Sequence, residues 1–171
     1  MNFKYEIGDE VLDSISGFKG VITARTEYLY GTINYHVKPM ELKDNKPQEE
    51  ESIEEPQVKL LTKNKLKVEG DFEPKFNLGA IVRDSLTSYK GTVVARVYYI
   101  NGCIHVGVKS AELKDGAPLP SVWFNQDQVE LVEETKQTER KSNGGPEEKP
   151  RIIIWERKRL IRKLKNYLSL P

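Results

Sequence analysis

The sequence predicts a mainly β protein of two tandem five-stranded small barrels followed by a basic amphipathic α-helix. Residues 5–61 align with residues 76–132 at a constant offset of 71 without a gap, and more than a third of the aligned positions are identical. Each copy holds short runs of β-branched residues separated by turn signals, which is typical of a barrel or sandwich. Residues 151–171 instead carry apolar residues at helical spacing.

Five strands are predicted in the same order in each copy. A tight turn is indicated at Tyr30-Gly31 and at Asn101-Gly102, and Asn-Gly is the strongest short hairpin signal because both residues tolerate positive φ. In modules of this size a partly open barrel limits the exposed strand edges. The predicted strands lie at 10–12, 20–25, 33–37, 52–54 and 58–61 in the first copy, and at 81–83, 91–96, 104–108, 122–124 and 129–132 in the second.

The repeat also sets the predicted domain boundaries. Modules of this size are only marginally stable alone, so we expect the two copies to lean on each other or on a partner. Asn143-Gly144-Gly145-Pro146 is typical of a flexible connection. The predicted parts are a first barrel at 1–62, a linker at 63–75, a second barrel at 76–133, a tether at 134–150 and a helix at 151–171.

Charge is distributed unevenly along the chain. The net charge is +1, but residues 151–171 carry seven basic residues against one acidic residue, so the preceding 150 residues sum to −5. Such a split predicts separate binding work for the C-terminal segment. No apolar run approaches the roughly 18 residues of a membrane span, and the start has no stretch of signal-peptide type. The single cysteine fits a reducing compartment.

Two stretches of the repeat resemble known proteins. Gly8-Asp9-Glu10-Val11, followed by Gly17-Phe18-Lys19-Gly20-Val21-Ile22, resembles the opening of small SH3-like barrels of the KOW type. That resemblance implies an SH3-like fold and, for the function, binding of RNA or DNA. The string from Phe18 to Leu29 resembles small tailed-bacteriophage proteins of unassigned function. It implies a phage source, with location in the virion or the host cytoplasm.

Four basic residues recur at equivalent positions, and two interpretations stay open. Lys and Arg dominate contacts with nucleic-acid backbones, so these residues could form a phosphate-binding strip. They could instead be solvated side chains, with arginine blocking strand addition at an edge. The acidic body of the protein favours the second interpretation. The four residues are Lys19, Arg25, Lys90 and Arg96.

Aromatic residues give three alternatives: a peptide groove, stacking of bases, or small cores. The core is favoured for the Tyr28/Tyr99 pair, which keeps its character in both copies. Trp123 replaces Ser52 of the first copy, so an inter-domain or partner contact is predicted there. The full set is Phe18, Tyr28, Tyr30, Tyr35, Tyr89, Tyr98, Tyr99, Trp123 and Phe124.

Nothing in the sequence predicts catalysis, a cofactor or a metal site. Cys103 and His105 form a lone Cys-x-His pair, whereas zinc needs four ligands, or three and a water. His36 does not align with His105. No serine or cysteine has a histidine and a carboxylate in a recognisable framework, and no glycine-rich phosphate loop occurs. We therefore expect a protein that is not an enzyme.

The predicted helix is the sharpest functional element. It could dock on its own barrels, enter a partner's groove, contact nucleic acid or lie on an anionic membrane. The expected function is that of a phage virion-associated or assembly protein, which binds a capsid or tail surface through its barrels and anchors through this helix. A KOW-type nucleic-acid-binding protein and a phage inhibitor of a host enzyme are the alternatives. The predicted partner-binding residues are Trp155, Arg157, Lys158, Leu160, Ile161, Arg162, Leu164 and Tyr167, together with Trp123.

Overall fold

The computed structural model describes residues 3–68 and 72–134, and these residues are mainly β, as predicted. The first repeat contains β1 (Glu10–Asp13), β2 (Lys19–Tyr28), β3 (Ile33–Lys38), β4 (Leu42–Lys43), β5 (Lys46–Pro47), β6 (Glu51–Glu54) and β7 (Val58–Thr62). The second contains β8 (Ile81–Asp84), β9 (Lys90–Tyr99), β10 (Ile104–Lys109), β11 (Leu113–Lys114), β12 (Ala117–Pro118), β13 (Val122–Asn125) and β14 (Val129–Glu133). Short 3-10 turns at Glu55–Gln57 and Gln126–Gln128 precede β7 and β14.

The five longer strands of each repeat match the five predicted strands, but two short hairpins were not predicted. Strand β4 pairs with β5, and β11 pairs with β12. Their turns place Asp44 and Asn45 at φ 51° and 59°, and Asp115 and Gly116 at φ 52° and 77°. Asp-Gly is a strong hairpin signal because both residues tolerate positive φ, so the second hairpin could have been predicted.

The strands of each repeat follow the same path. The order is β7-β1-β2-β3-β6 in the first repeat and β14-β8-β9-β10-β13 in the second, with antiparallel pairing throughout. The 3-10 turns connect the strands at the two ends of each path. The strand order is thus duplicated together with the sequence, while closure of each path into a barrel stays a prediction.

Strands β2 and β9 pair with each other and join both repeats into one ten-stranded sheet. The register sets Thr26 opposite Val97, which are equivalent positions of the two repeats. Ala24 accordingly lies opposite Tyr99, and Tyr28 lies opposite Ala95. An antiparallel pairing centred on equivalent residues relates the two strands by a local two-fold axis. We call this pairing the seam; the sequence alone left the arrangement of the repeats open.

The core consists of two clusters that are shared unequally between the repeats. The first combines first-repeat residues such as Val11 and Ile22 with Tyr98 and Ile104 of the second. The second cluster draws all its buried members from the second repeat. Val68 and Phe72, which lie within the predicted linker, pack against the first cluster. Part of that linker is therefore core-forming chain.

The Lys-Gly pair common to both repeats has a steric cause. A Cβ at Gly20 would lie 2.3 Å from the carbonyl oxygen of Lys38, and a Cβ at Gly91 would lie 2.4 Å from that of Lys109. Carbon atoms do not approach backbone oxygen this closely, so the crossing of the two strands requires glycine.

The predicted helix at 151–171 lies outside the described residues, as does the predicted tether apart from Glu134. Within the described ranges, no helix has the length and apolar character needed to cross a bilayer.

Candidate binding surfaces

An aspartate at the end of the first strand of each repeat organises the turn that follows. The Asp13 carboxylate accepts hydrogen bonds from the backbone N–H of Ile15 at 3.2 Å and of Ser16 at 3.0 Å. The Asp84 carboxylate accepts one from the N–H of Thr87 at 2.7 Å. The hydroxyls of Ser16 and Thr87 also donate to these carboxylates. These bonds, first those from the hydroxyls, lower the pKa of both aspartates below the ordinary value.

Each turn lifts one large apolar side chain into solvent. Ile15 is 76% exposed, and its equivalent Leu86 is 79% exposed. The residue before each exposed side chain is held by a backbone hydrogen bond: Ser14 N–H donates to the Gln57 carbonyl at 2.9 Å, and Ser85 N–H donates to the Gln128 carbonyl at 3.0 Å. The two exposed side chains therefore stand on fixed turns.

Further exposed apolar residues recur in the same way. Leu42 on the β4–β5 hairpin is 61% exposed, and Leu113 on the β11–β12 hairpin is 62% exposed. A single exposed leucine is ordinary, but matched exposure at equivalent positions means that the two repeats present one pattern twice. We call these residues the paired apolar sites. They comprise Ile15 and Leu86, Leu42 and Leu113, Leu60 and Leu131, and Leu61 and Val132.

Arg96, one of the predicted phosphate contacts, is buried at the seam. Its Nη2 lies 2.7 Å from the Glu27 carboxylate, and its Nη1 donates to the Phe76 carbonyl at 2.9 Å. The Tyr98 phenol donates to the same Glu27 carboxylate. Glu27 and Tyr98 are equivalent positions of the two repeats, so the seam brings them into direct contact.

Arg25 is equally buried but has different neighbours. It pairs with Glu6, and its guanidinium lies 4.1 Å from the ring centre of Phe3 and 5.5 Å from those of Phe72 and Tyr98. Cation–π contact with three rings holds the charge inside the protein. Both recurring arginines thus serve the packing of the seam, and the expectation of outward, solvated side chains is wrong for them.

The recurring lysines, in contrast, lie at the surface. Lys19 and Lys90 begin β2 and β9 and are exposed. The Lys19 Nζ lies 3.2 Å from the Glu10 carboxylate. Because the arginines are buried, the described residues do not assemble the predicted strip of four phosphate contacts.

The predicted aromatic set divides among three environments. Tyr35 and Tyr98 are buried; first burial, and then hydrogen bonds to Glu55 and Glu27, raise the pKa of their phenols. Phe18 packs against the first core cluster, and Tyr89 and Phe124 pack against the second. Tyr30 is largely exposed. Tyr28 and Tyr99 are half-buried beside the seam and belong to neither core cluster, contrary to the favoured interpretation.

Trp123 lies on β13 directly opposite Gly107 of β10. A Cβ at Gly107 would be 3.1 Å from the indole ring, so the ring rests on the glycine. The equivalent pair in the first repeat is Ser52 opposite His36. Nearly half of Trp123 stays exposed, which leaves the predicted partner contact available.

Other predicted site residues are not assembled into a site. In residues 3–68 and 72–134, no three His, Cys, Asp or Glu side chains gather as metal ligands. His105 makes an edge contact with the Tyr99 ring, with centroids 5.1 Å apart. The predicted partner-binding residues from Trp155 to Tyr167 lie outside the described residues.

Comparison with known proteins returned no family model, no curated protein and no solved structure that matches the chain.

Proposed function

We propose that this protein is a non-catalytic, bivalent protein-binding protein, in which each repeat closes into a small SH3-like barrel and presents the same apolar side chains to a partner. The observation that carries the proposal is the matched exposure of Ile15 and Leu86 on turns held by equivalent hydrogen bonds. Covering exposed apolar groups removes them from water, and this favours binding of a partner.

The seam supports bivalent rather than independent binding. Pairing of β2 with β9 fixes the two repeats in one sheet about a local two-fold axis. Two equivalent sites on one rigid sheet raise each other's effective concentration when both can reach the partner. A partner that offers the same site twice about its own two-fold axis, as a homodimer does, fits this arrangement.

The proposed setting is the virion or its assembly in a tailed phage, with the basic segment 151–168 anchoring to a neighbouring subunit. The resemblance of the segment from Phe18 to Leu29 to phage proteins supports the source, and the charge of +6 in residues 151–171 supports separate binding work there. Nucleic-acid binding by the repeats is less well supported, because Arg25 and Arg96 are engaged at the seam.

The test uses Ile15→Ser, Leu86→Ser and the double variant in the full chain. Tagged proteins are incubated with lysates of phage-infected and uninfected host cells and with purified particles, and the bound proteins are identified. Each single variant should weaken capture of the same partner, and the double variant should abolish it. Leu66→Ser is the matched control, since Leu66 is exposed but lies outside the repeat.

Wild-type capture by the double variant would contradict the proposal. A partner found in uninfected lysate would favour the host-enzyme inhibitor, and sedimentation with particles would favour the virion role. Binding to DNA or RNA that falls steeply with salt would favour the KOW-type alternative.

A further inference from the structure

A groove in the first repeat combines apolar walls with negative charge. It has a volume of about 330 Å³ and lies between the start of β2 and the chain that follows β3. Phe18, Pro39 and Met40 provide its apolar lining, and Glu10 and Glu41 provide its carboxylates. Met40 is more than half exposed although it lines the groove. This surface is separate from the paired apolar sites.

Glu10 supplies a largely buried, ionised carboxylate to the groove. The Thr62 hydroxyl donates to it at 3.0 Å, and the Lys19 and Lys65 amines lie 3.2 and 3.9 Å away. The hydrogen bonds from Thr62 and Lys19 lower the pKa of Glu10, so it is charged at neutral pH. Lys19 also lines the groove and is exposed, so a basic side chain of a ligand would take the place of its amine beside the carboxylate.

The segment that follows β3, from which Glu41 and Gln48 line the groove, carries further negative charge. Residues 41–55 contain seven acidic residues and two basic residues, a net charge of −5. The equivalent residues 112–126 of the second repeat contain two acidic residues and one basic residue, a net charge of −1. Charge of one sign beside a cleft attracts a ligand of the opposite sign.

The second repeat lacks the same groove chemistry. Ile81 replaces Glu10, and Ala111 replaces Met40. The Ser110 N–H, at the position of Pro39, donates to the Tyr89 hydroxyl at 3.3 Å across the equivalent place. Duplication has therefore kept the fold and left this combination of charge and apolar surface in the first repeat.

We propose that the groove binds a basic peptide segment of a protein partner, with one Lys or Arg at Glu10 and Glu41 and a neighbouring apolar side chain against Met40. Charge complementarity selects the basic residue, and the apolar walls select its neighbour. The proposal goes beyond the bivalent function, because the groove is built from first-repeat residues that differ from the paired apolar sites.

The test follows Met40 directly, since Met1 and Met40 are the two methionines of the sequence. The full chain carrying ¹³C-methyl methionine is titrated with three synthetic nonapeptides that alternate Lys with Leu, Glu with Leu, or Lys with Ser. The Met40 signal is assigned with Met40→Leu. We expect the Lys/Leu peptide to shift this signal, with affinity about tenfold higher than either other peptide, a difference of about 1.4 kcal/mol.

Variants of three glutamates show which carboxylates bind the basic peptide. Glu41→Gln, at an exposed site, should weaken binding of the Lys/Leu peptide about threefold, in the range of an exposed ion pair. Glu10→Gln should weaken it about tenfold, as expected for a bond to a buried charged group. Glu112→Gln, the matched change in the second repeat, should have no effect.

Three results would overturn the proposal. They are a stationary Met40 signal, an equal shift with the Glu/Leu peptide, and an equal loss of affinity in Glu112→Gln. The Ile15→Ser/Leu86→Ser double variant should keep the full Met40 response. Loss of the response in that variant would assign the peptide to the paired apolar sites, so failure of this inference and failure of the bivalent function can be told apart.

Discussion

The first and second repeats have the same strand order, but equivalent residues are alike in some regions of the surface and differ in others. The turns around Asp13 and Asp84 and the exposed Ile15 and Leu86 match closely. At the groove the charges diverge, from −5 over residues 41–55 to −1 at the equivalent residues. The turns and the exposed apolar residues on them are thus alike in the two repeats, whereas the charge of the segment that follows the third strand differs.

The seam shows a third behaviour, in which equivalent residues contact each other. A pairing centred on Thr26 and Val97 places Glu27 next to its own equivalent, Tyr98. Identical residues at these two positions would bring together two carboxylates or two phenols. Because the residues differ, the Tyr98 phenol can donate a hydrogen bond to the Glu27 carboxylate. The two equivalent arginines likewise have different partners. Arg96 binds buried Glu27, while Arg25 binds exposed Glu6 and contacts aromatic rings.

Replacing Glu27 should have the largest effect on this comparison. Glu27→Ala leaves the buried Arg96 guanidinium without its carboxylate, and we expect the free energy of unfolding to fall by about 3–5 kcal/mol. Urea denaturation of the full chain measures it. Glu6→Ala removes the exposed partner of Arg25, and should cost about 1 kcal/mol or less because solvent screens that pair. Equal losses in the two variants would show that burial of the carboxylate partner does not distinguish the two ion pairs.

Alanine at the glycine of the Lys-Gly pair should come next. Gly20→Ala and Gly91→Ala each force a Cβ into a backbone carbonyl oxygen, and we expect a loss of about 1–3 kcal/mol in either repeat, as for an overpacked site. Gly107→Ala is the control, because its Cβ would meet the half-exposed Trp123 ring, which can move. Thermal melts compare the three. A Gly20→Ala protein as stable as the control would refute the steric account.

Asp13 and Asp84 should make the stability of the protein depend on pH in the acid range. Their pKa values lie below the ordinary 3.8, so the carboxylates bind protons more weakly in the folded chain than in the unfolded one. Their contribution is complete above pH 3.8 and is lost as the pH falls through the lower folded pKa.

Asp13→Asn/Asp84→Asn is the matching variant. It should be less stable at neutral pH and should lose less stability between about pH 5 and about pH 2 than the wild type. Urea midpoints measured across this range test the prediction. Parallel curves for variant and wild type would show that these aspartates do not carry the acid dependence.

The sequence predicted the long strands well because the repeat supplied each pattern twice. Ile33, Tyr35 and Val37 alternate with polar residues, which is the pattern of a strand with one buried face, and Tyr35 and Val37 are buried in the structure. The seam was not predicted, because β2 and β9 each have the composition of an ordinary central strand, and no local pattern states which strand a partner will be. That omission also produced the wrong environment for Arg25 and Arg96.

The binding surfaces were partly visible in the sequence. Ile15 and Leu86 stand between polar residues in the stretch that joins the first two predicted strands of each copy, and their alignment could have marked them as exposed apolar residues in both copies. The groove could not be found this way. It combines Glu10 with Met40, which are 30 positions apart and meet through tertiary structure.

The smallest expected effect concerns a turn position, after the first strand, where the repeats differ in backbone strain. Gly17 has φ 76°, and its equivalent Ser88 has φ 62°. This left-handed region suits glycine and costs a residue with a Cβ about 1 kcal/mol or more. At this turn, the backbone of the second repeat is therefore strained, whereas that of the first repeat is not.

The two exchanges, Ser88→Gly and Gly17→Ser, should therefore change the free energy of unfolding in opposite directions. Ser88→Gly should stabilise the protein by about 0.5–1 kcal/mol, after the entropy that glycine adds to the unfolded chain, and Gly17→Ser should destabilise it by a similar amount. Nothing lies within 4 Å of a Cβ at Gly17, so the second change tests the backbone alone. Urea midpoints resolve differences of this size. A destabilised Ser88→Gly protein would mean that the serine side chain supports the Leu86 turn by more than its backbone strain costs.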